Sequence, residues 1–242
     1  MQQIQTCLIV AAGMGTRLKA HGDIKPLVQV NQLSLIEHAM INASKAGVTR
    51  FVVVTGYRHQ FLEEELEKIK ERHSFTIQTA HNKDYEKPNG LSVLKGAPLL
   101  SGPFFLTMCD HMVESAIYEY LSNINLPEDH VALGVDFRLD NSDVDIEDVT
   151  KVLANGPYIK KIGKNISDYN GYDTGVFLAN SSLFEAIEQS ARDTDDPSIS
   201  GGMEILSNAN RAVAVDTKKS RWLDVDSPDI LKLAQEWQKS KA

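Results

Sequence analysis

Apolar residues recur along this chain in two alternating rhythms: short unbroken runs, then stretches in which they return every three or four positions. The runs Thr6–Ala11, Phe51–Thr55, Phe75–Thr79 and Phe104–Met108 are rich in β-branched and aromatic residues and predict buried strands. Between the first two, Leu35, Ile36, Ala39, Met40 and Ala43 share one helical face. Ser34 with Glu37 offers a capping box at its start, and Gly47 a stop at its end. A second helix is predicted near Tyr57–Arg72, with Phe61, Leu62, Leu66 and Ile69 inward. Strand, helix, strand, helix with continuous apolar strands predicts an α/β fold whose parallel sheet is covered on both faces. Ligands of such sheets bind at the carboxyl ends of the strands.

The rhythm changes in the second half. After a strand at His130–Phe137 comes the acidic stretch Leu139–Asp148, read as solvated loop around Asp145, Glu147 and Asp148. Val149–Leu153 and Tyr158–Ile162 flank Asn155-Gly156, a hairpin signal because both residues tolerate positive φ. Gly171–Ala179 and Val213–Asp216 read as further strands, and Asp193–Asp196 as exposed loop. Ser227-Pro228 opens a closing helix with Ile230, Leu231, Ala234 and Trp237 inward. Neither an internal repeat nor a long linker interrupts the chain, which predicts one mixed α/β domain over residues 1–242 with a smaller β lid.

Composition narrows the chemistry. The 42% hydrophobic and 24% charged content over 242 residues suits a globular protein. A net charge of −8 argues against a nucleic-acid surface, which needs clustered Lys and Arg. Cys7 and Cys109 lie in apolar runs without Cys-x-x-Cys spacing, so a zinc site or disulfide framework is not expected and a reducing, cytoplasmic setting is. The sequence holds no run of about 18 apolar residues, so no membrane segment is expected. No exposed apolar helix stands out to indicate an oligomeric state. Any phosphate ligand of so acidic a chain requires a local concentration of donors.

One such concentration follows the first strand. In Ala11-Ala12-Gly13-Met14-Gly15-Thr16-Arg17-Leu18 the paired glycines permit a sharp turn that points backbone N–H groups at an anion. Thr16 adds a hydroxyl, Arg17 a planar fork for phosphate oxygens, and Lys25 lies close enough to return to the same triphosphate. The loop is not a dinucleotide fingerprint, since Leu18 stands where the third Gly belongs, and it lacks the Gly-Lys-Ser/Thr of a Walker loop. The same residues also suit a plain glycine turn with surface cations. Asp110, at the end of the Phe104–Met108 strand, sits where a Mg²⁺ ligand would face the strand ends. Asp224 and Asp226 are candidates for a second carboxylate, because alternate positions of an extended segment share a side. Helix capping by Asp110 and a turn at Asp226 are the competing assignments. His111 suits a structural role beside such a centre.

These residues resemble a known family. Leu8–Leu18 followed by Lys25-Pro26-Leu27 is similar to the opening signature of the sugar-phosphate nucleotidyltransferases. Asn89-Gly90-Leu91-Ser92, Met108-Cys109-Asp110-His111 and Tyr172-Asp173-Thr174-Gly175-Val176-Phe177 resemble the CTP:inositol-1-phosphate cytidylyltransferases within it, as do Thr150–Val152, Ile162–Lys164 and Trp222–Pro228. Cys109 replaces a usual Gly or Ser, and Leu91 a common aromatic. The resemblance implies a Rossmann-like, three-layer α/β fold with a mostly parallel central sheet, a nucleotide-binding half of about residues 1–125 and an acceptor-binding half of about 126–242. It implies that Ala11, Ala12, Gly13, Gly15, Thr16 and Arg17 wrap the nucleotide, with Lys25 on its phosphates, and that Asn89, Gly90 and Ser92 border base and ribose. Asp110 with Asp224 would hold Mg²⁺, Asp173, Thr174 and Gly175 would face the acceptor, and Lys160, Lys161 or Lys164 would meet its phosphate. The implied substrates are a nucleoside triphosphate, CTP, and a small phosphorylated alcohol, inositol 1-phosphate. Family members fused to a membrane-embedded transferase exist, and this chain is expected to be a free-standing version. Other acceptors (phosphocholine, 2-aminoethylphosphonate, a sugar 1-phosphate) or another triphosphate fit the same chemistry. A nicotinamide-dependent oxidoreductase is disfavoured by the absent third Gly, and a silent nucleotide sensor by the candidate metal carboxylates.

Overall fold

The strands alternate buried faces because both sides of the sheet are covered. In the computed structural model, which describes residues 4–240, Cys7, Ile9 and Ala11 of β1 (Thr6–Ala11) join one apolar cluster, while Leu8 and Val10 join the other. Phe51 and Val53 of β4 (Arg50–Thr55) divide from Val52 and Val54 in the same way. In chain order the remaining strands are β2 (Gln29–Val30), β3 (Leu33–Ser34), β4 (Arg50–Thr55), β5 (Thr76–His81), β6 (Phe104–Met108), β7 (His111–Val113), β8 (Val131–Asp136), β9 (Lys151–Asn155), β10 (Tyr158–Gly163), β11 (Gly171–Ala179), β12 (Ala212–Asp216) and β13 (Trp222–Asp224). The α-helices are α1 (Leu35–Lys45), α2 (His59–His73), α3 (Gly90–Gly96), α4 (Ser115–Ser122), α5 (Ser181–Thr194), α6 (Ile199–Asn208) and α7 (Pro228–Lys239).

Nine strands form the central sheet in the order β5-β4-β1-β6-β11-β8-β12-β10-β9. The first four are mutually parallel, and only β11 and β10 run against the others. With helices on both faces, this is the expected three-layer α/β fold with a mostly parallel sheet. The small β lid is the β9–β10 hairpin, bonded into the same sheet through β12 and β11. Its turn differs by one position from expectation: Asn155 pairs with Tyr158, so the turn residues are Gly156 and Pro157, and only Gly156 takes a positive φ, 58°. Proline cannot continue a ladder as donor, which moves the turn forward.

Three local readings are corrected. Ser34 makes no side-chain cap on α1; Glu37 turns away to Arg72 and His73 at the end of α2. Phe61 lies outward, 56% exposed beneath the Arg58 guanidinium, whereas Leu62, Leu66 and Ile69 carry the inner face of α2. Asp193 belongs to α5, which extends to Thr194.

A third apolar cluster matters for the site. Leu231, Ala234 and Trp237 of α7 pack with Leu18, Val28, Leu35, Met112, Leu223 and Val225. This draws the end of the chain beneath the loop that follows β1. Ser227 caps α7 by accepting from the Ile230 N–H, as its position before Pro228 predicts. Among the described residues, no helix is long and apolar enough to cross a membrane.

Candidate active site

The glycine loop and the Asp110 carboxylate face one cavity. Gly13, Gly15, Thr16, Arg17, Lys25, Ser92, Asn89 and Asp110 all line a hollow of about 300 Å³ beyond the carboxyl ends of β1 and β6. Gly15 has φ 56°, and a Cβ there would lie 2.2 Å from the Cβ of Lys25, so only glycine lets the loop rest on that lysine. Lys25 is consequently buried, and its ammonium pairs with both Asp110 and Asp226. Burial disfavours the charge on Lys25, but the nearby Asp110 and Asp224 carboxylates outweigh it and raise its pKa.

Asp224 and Asp226 arrive by a ladder invisible in the strand patterns. β13 pairs antiparallel with β7, setting Asp224 opposite His111, and the Val225 N–H donates to the Asp110 carbonyl at 3.0 Å. Three carboxylates distant in sequence thus converge. His111 Nδ1 lies 3.0 Å from Asp110 Oδ1 and 3.8 Å from Asp224 Oδ1. Burial alone would lower the His111 pKa, yet Asp224 and Asp110 lift it to about 9, which favours the charged ring beside the two carboxylates. Burial acts to raise the Asp110 pKa, but Lys25 and His111 hold it well below the usual carboxylate range. Asp224 goes the other way, raised by burial and by the charge of Asp110.

A second cavity of about 240 Å³ adjoins the first, and Arg17, Asn89, Met108, Asp110 and Asp226 line both. Its other walls include His111, Asp143, Asp148, Thr150, Lys164, Asp173, Gly175, Trp222 and Asp224. Asp173 accepts from the Gly175 N–H at 2.7 Å, and burial raises its pKa to about 6. Gly175 has φ 75°, and a Cβ on it would meet the His111 ring at 2.3 Å.

Some expected residues lie elsewhere. Thr174 is fully buried and donates to the Gly134 carbonyl, so it faces the sheet rather than the cavity. Gly90 packs against the Pro197 carbonyl, and Ala11 ends β1 inside the core. Lys160 reaches Asn210 at 2.6 Å and lies over the Tyr158 ring. Lys160 and Lys161 line neither cavity; of the three lysines only Lys164 does. Asp148 is the residue that sequence reasoning missed. Instead of a solvated loop position it holds Arg17 at 2.6 Å and Lys164 at 2.5 Å.

The donor set fits a divalent cation. Ligand atoms of Asp148, Asp224 and Asp226 lie within 4.8 Å of one another, as do those of Asp110, His111 and Asp224. The shared residue carries the strongest sign, because Asp224 Oδ1 is buried and lacks a hydrogen-bond partner. A buried carboxylate oxygen without a donor is unfavourable unless a cation completes it. Of the two, the Asp148, Asp224 and Asp226 set is all-carboxylate, of the hard-oxygen kind that suits Mg²⁺ or Ca²⁺.

Comparison with known proteins identifies the family. Residues 7–208 match the family model described as the MobA-like NTP transferase domain. A protein of Rubrobacter xylanophilus named "Bifunctional IPC transferase and DIPP synthase" is 31% identical over 94% of this chain and 50% of its own length. The protein of that name from Aquifex aeolicus is 28% identical over 97% of this chain and 52% of its own length. This chain therefore spans about half the length of these curated relatives. Among solved structures, "the inositol-1-phosphate CTP transferase from T. maritima" superposes with a TM-score of 0.86 at 29% identity, covering 99% of this chain and 97% of that one. The chain belongs to the MobA-like NTP transferase domain family of nucleotidyltransferases.

Proposed function

We propose that this protein is a Mg²⁺-dependent cytidylyltransferase that joins CMP from CTP to inositol 1-phosphate and releases pyrophosphate. The observation that carries the reading is the pair of adjoining cavities, one walled by the glycine loop and one by Asp173 and Lys164, meeting at Asp110 and Arg17. CTP and inositol 1-phosphate are chosen because they are named for the T. maritima structure. On this reading residues 1–242 are one domain, with the triphosphate held by the first half and the acceptor by the second.

The chemistry follows from charge. A phosphate monoester has a second pKa of about 6, so the attacking oxygen is already anionic at neutral pH and needs no general base. The obstacle is the approach of two anions. Arg17, Lys25 and the N–H groups of the Gly13–Gly15 loop neutralise the triphosphate and hold its α-phosphorus toward the second cavity. Lys164 takes the acceptor phosphate, while Asp173, held by the Gly175 N–H, accepts from acceptor hydroxyls. Asp110 and Asp224, with Asp226 or Asp148, are the residues that would hold Mg²⁺, which when bound supplies charge neutralisation for the phosphates and the leaving pyrophosphate. His111 keeps Asp110 and Asp224 oriented and takes no part in proton transfer.

The test is a pyrophosphate-release screen. CTP, UTP, GTP and ATP are crossed with inositol 1-phosphate, phosphocholine, 2-aminoethylphosphonate and glucose 1-phosphate, with Mg²⁺ and with chelator. Release with CTP and inositol 1-phosphate in Mg²⁺ is expected. Turnover with another acceptor alone would reassign the substrate, and release from no combination would refute the reading.

A further inference from the structure

Asp148 lines the acceptor-side cavity and reaches Arg17, which lines both. Its two oxygens are divided between cations: Oδ2 binds Arg17 at 2.6 Å, and Oδ1 binds Lys164 at 2.5 Å. Arg17 lines both hollows, whereas Lys164 lines only the acceptor side. The segment carrying Asp148 is held at both ends. Asp136 grips Arg138 and Asn141, and the Thr150 carbonyl accepts from the Asp173 N–H at 2.9 Å. Asp148 also lies within 4.8 Å of the Asp224 and Asp226 oxygens. One carboxylate therefore has three competing partners: the triphosphate arginine, the acceptor lysine and the candidate cation position.

We propose that Asp148 is a positioning residue that couples occupancy of the two cavities. In the unliganded chain it holds Lys164 away from an acceptor phosphate. When a triphosphate occupies the first cavity its phosphates compete for Arg17, and Asp148, Asp224 and Asp226 are the residues that would hold its cation, which would give Asp148 a partner other than Lys164. Lys164 is then released to the acceptor. An acceptor arriving first must instead break the Lys164–Asp148 pair and leave that carboxylate with Arg17 alone. The nucleotide therefore favours acceptor binding and, by linkage, the acceptor favours the nucleotide by the same factor. The pair is half exposed, with side-chain exposures of 55% for Lys164 and 25% for Asp148. Its screening by water places the coupling at the lower end of the usual range, about five- to tenfold. Without the cation nothing competes with Lys164 for Asp148, the pair stays closed, and the nucleotide no longer assists.

The proposal rests on the assignment of the two cavities to a triphosphate and a phosphorylated acceptor. Its test is calorimetric, with a non-hydrolysable α,β-methylene analogue of CTP and with inositol 1-phosphate. Acceptor affinity is measured on the free protein and on analogue-saturated protein, in Mg²⁺ and in chelator. The natural chain should bind the acceptor about five- to tenfold more tightly with analogue and Mg²⁺, and gain nothing from the analogue in chelator. Asp148→Asn should bind the acceptor without nucleotide nearly as well as the loaded natural protein, with the residual coupling within about twofold. Lys164→Gln, a change at an exposed side chain, should bind the acceptor weakly and equally in all conditions; thermal melts of both variants establish that they fold. Coupling unchanged in Asp148→Asn, or absent from the natural protein while both ligands bind, would overturn the inference alone. Failure of the natural protein to bind either ligand would remove the cavity assignment and the inference with it.

Discussion

The ammonium of Lys25 is buried against the carboxylate of Asp110. Each compensates the charge of the other. Removing the lysine leaves an uncompensated carboxylate cluster. Lys25→Met should destabilise the substrate-free protein by about 3–5 kcal/mol, and millimolar Mg²⁺ should restore part of that loss by occupying the carboxylates. Melting temperatures with and without Mg²⁺ check this. An equal loss in both conditions would mean that Lys25 and the cation do not share the site.

Asp110 and His111 are adjacent in the chain but should differ in consequence. Asp110→Ala should lower kcat by roughly two to three orders of magnitude, on the scale of losing a main electrostatic element. His111→Ala should reduce Mg²⁺ affinity roughly tenfold, as for other groups that orient metal ligands, with most of kcat recovered at high Mg²⁺. Mg²⁺ titrations of initial rate separate the two. Losses in His111→Ala that no Mg²⁺ concentration restores would contradict its orienting role.

The two loop glycines offer a stability-against-binding contrast. A methyl on Gly13 meets nothing within 4 Å, while one on Gly15 meets the Lys25 side chain and must also adopt φ 56°. Gly15→Ala should cost at least about 1–2 kcal/mol from the left-handed backbone alone and should raise the KM for the triphosphate. Gly13→Ala should leave the melting temperature unchanged yet weaken the nucleotide, because Gly13 lines the cavity proposed for the phosphates and a methyl there enters open space. Similar melting losses in both variants would show that the loop is not packed as described.

Asp136 gives a pH-dependent prediction. Its buried carboxylate accepts from Arg138, Asn141 and the Trp222 indole N–H, at 2.8 Å for the last. Burial would raise its pKa, but these donors hold it below the ordinary carboxylate value. A lowered folded-state pKa means that stabilisation is fully present above the unfolded value, about 3.9, and is lost as pH falls through the lower folded value. Asp136→Asn should therefore destabilise by about 3–5 kcal/mol at neutral pH. The gap to the natural protein should narrow only below about pH 4. Denaturant unfolding across pH measures it, and a constant gap down to pH 2 would refute the assignment.

Much of the fold was legible because a sheet covered on both faces leaves unbroken apolar runs. β1, β6 and β11 appear with the expected bounds. The helices α5 and α6 escaped notice because Ser181–Thr194 and Ile199–Asn208 begin among polar and glycine residues that also suit loops. The β7–β13 pair comprises three residues on each strand, too few to show a period. In the site, the glycine loop and Asp110 carried readable signals, since chemistry dictates their type and spacing. Asp148 carried none. Its neighbours Asp145 and Glu147 give the whole segment a solvated composition, and only the tertiary position of Arg17 and Lys164 distinguishes it. At β10 the sequence left three alternatives, Lys160, Lys161 and Lys164, and of these only Lys164, beyond the strand end, lines the cavity.

Because β13 supplies Asp224 by pairing with β7, a chain emerging from the ribosome carries its glycine loop and Asp110 long before the partner carboxylates exist. Synthesis proceeds at about 5–20 residues per second, so for several seconds the nascent protein holds half a pocket whose Asp110 has Lys25 as company. The candidate active site is thus among the last parts of the molecule to be completed, and a ribosome stalled short of Trp222 would display much of the sheet without Asp224 and Asp226 beside Asp110.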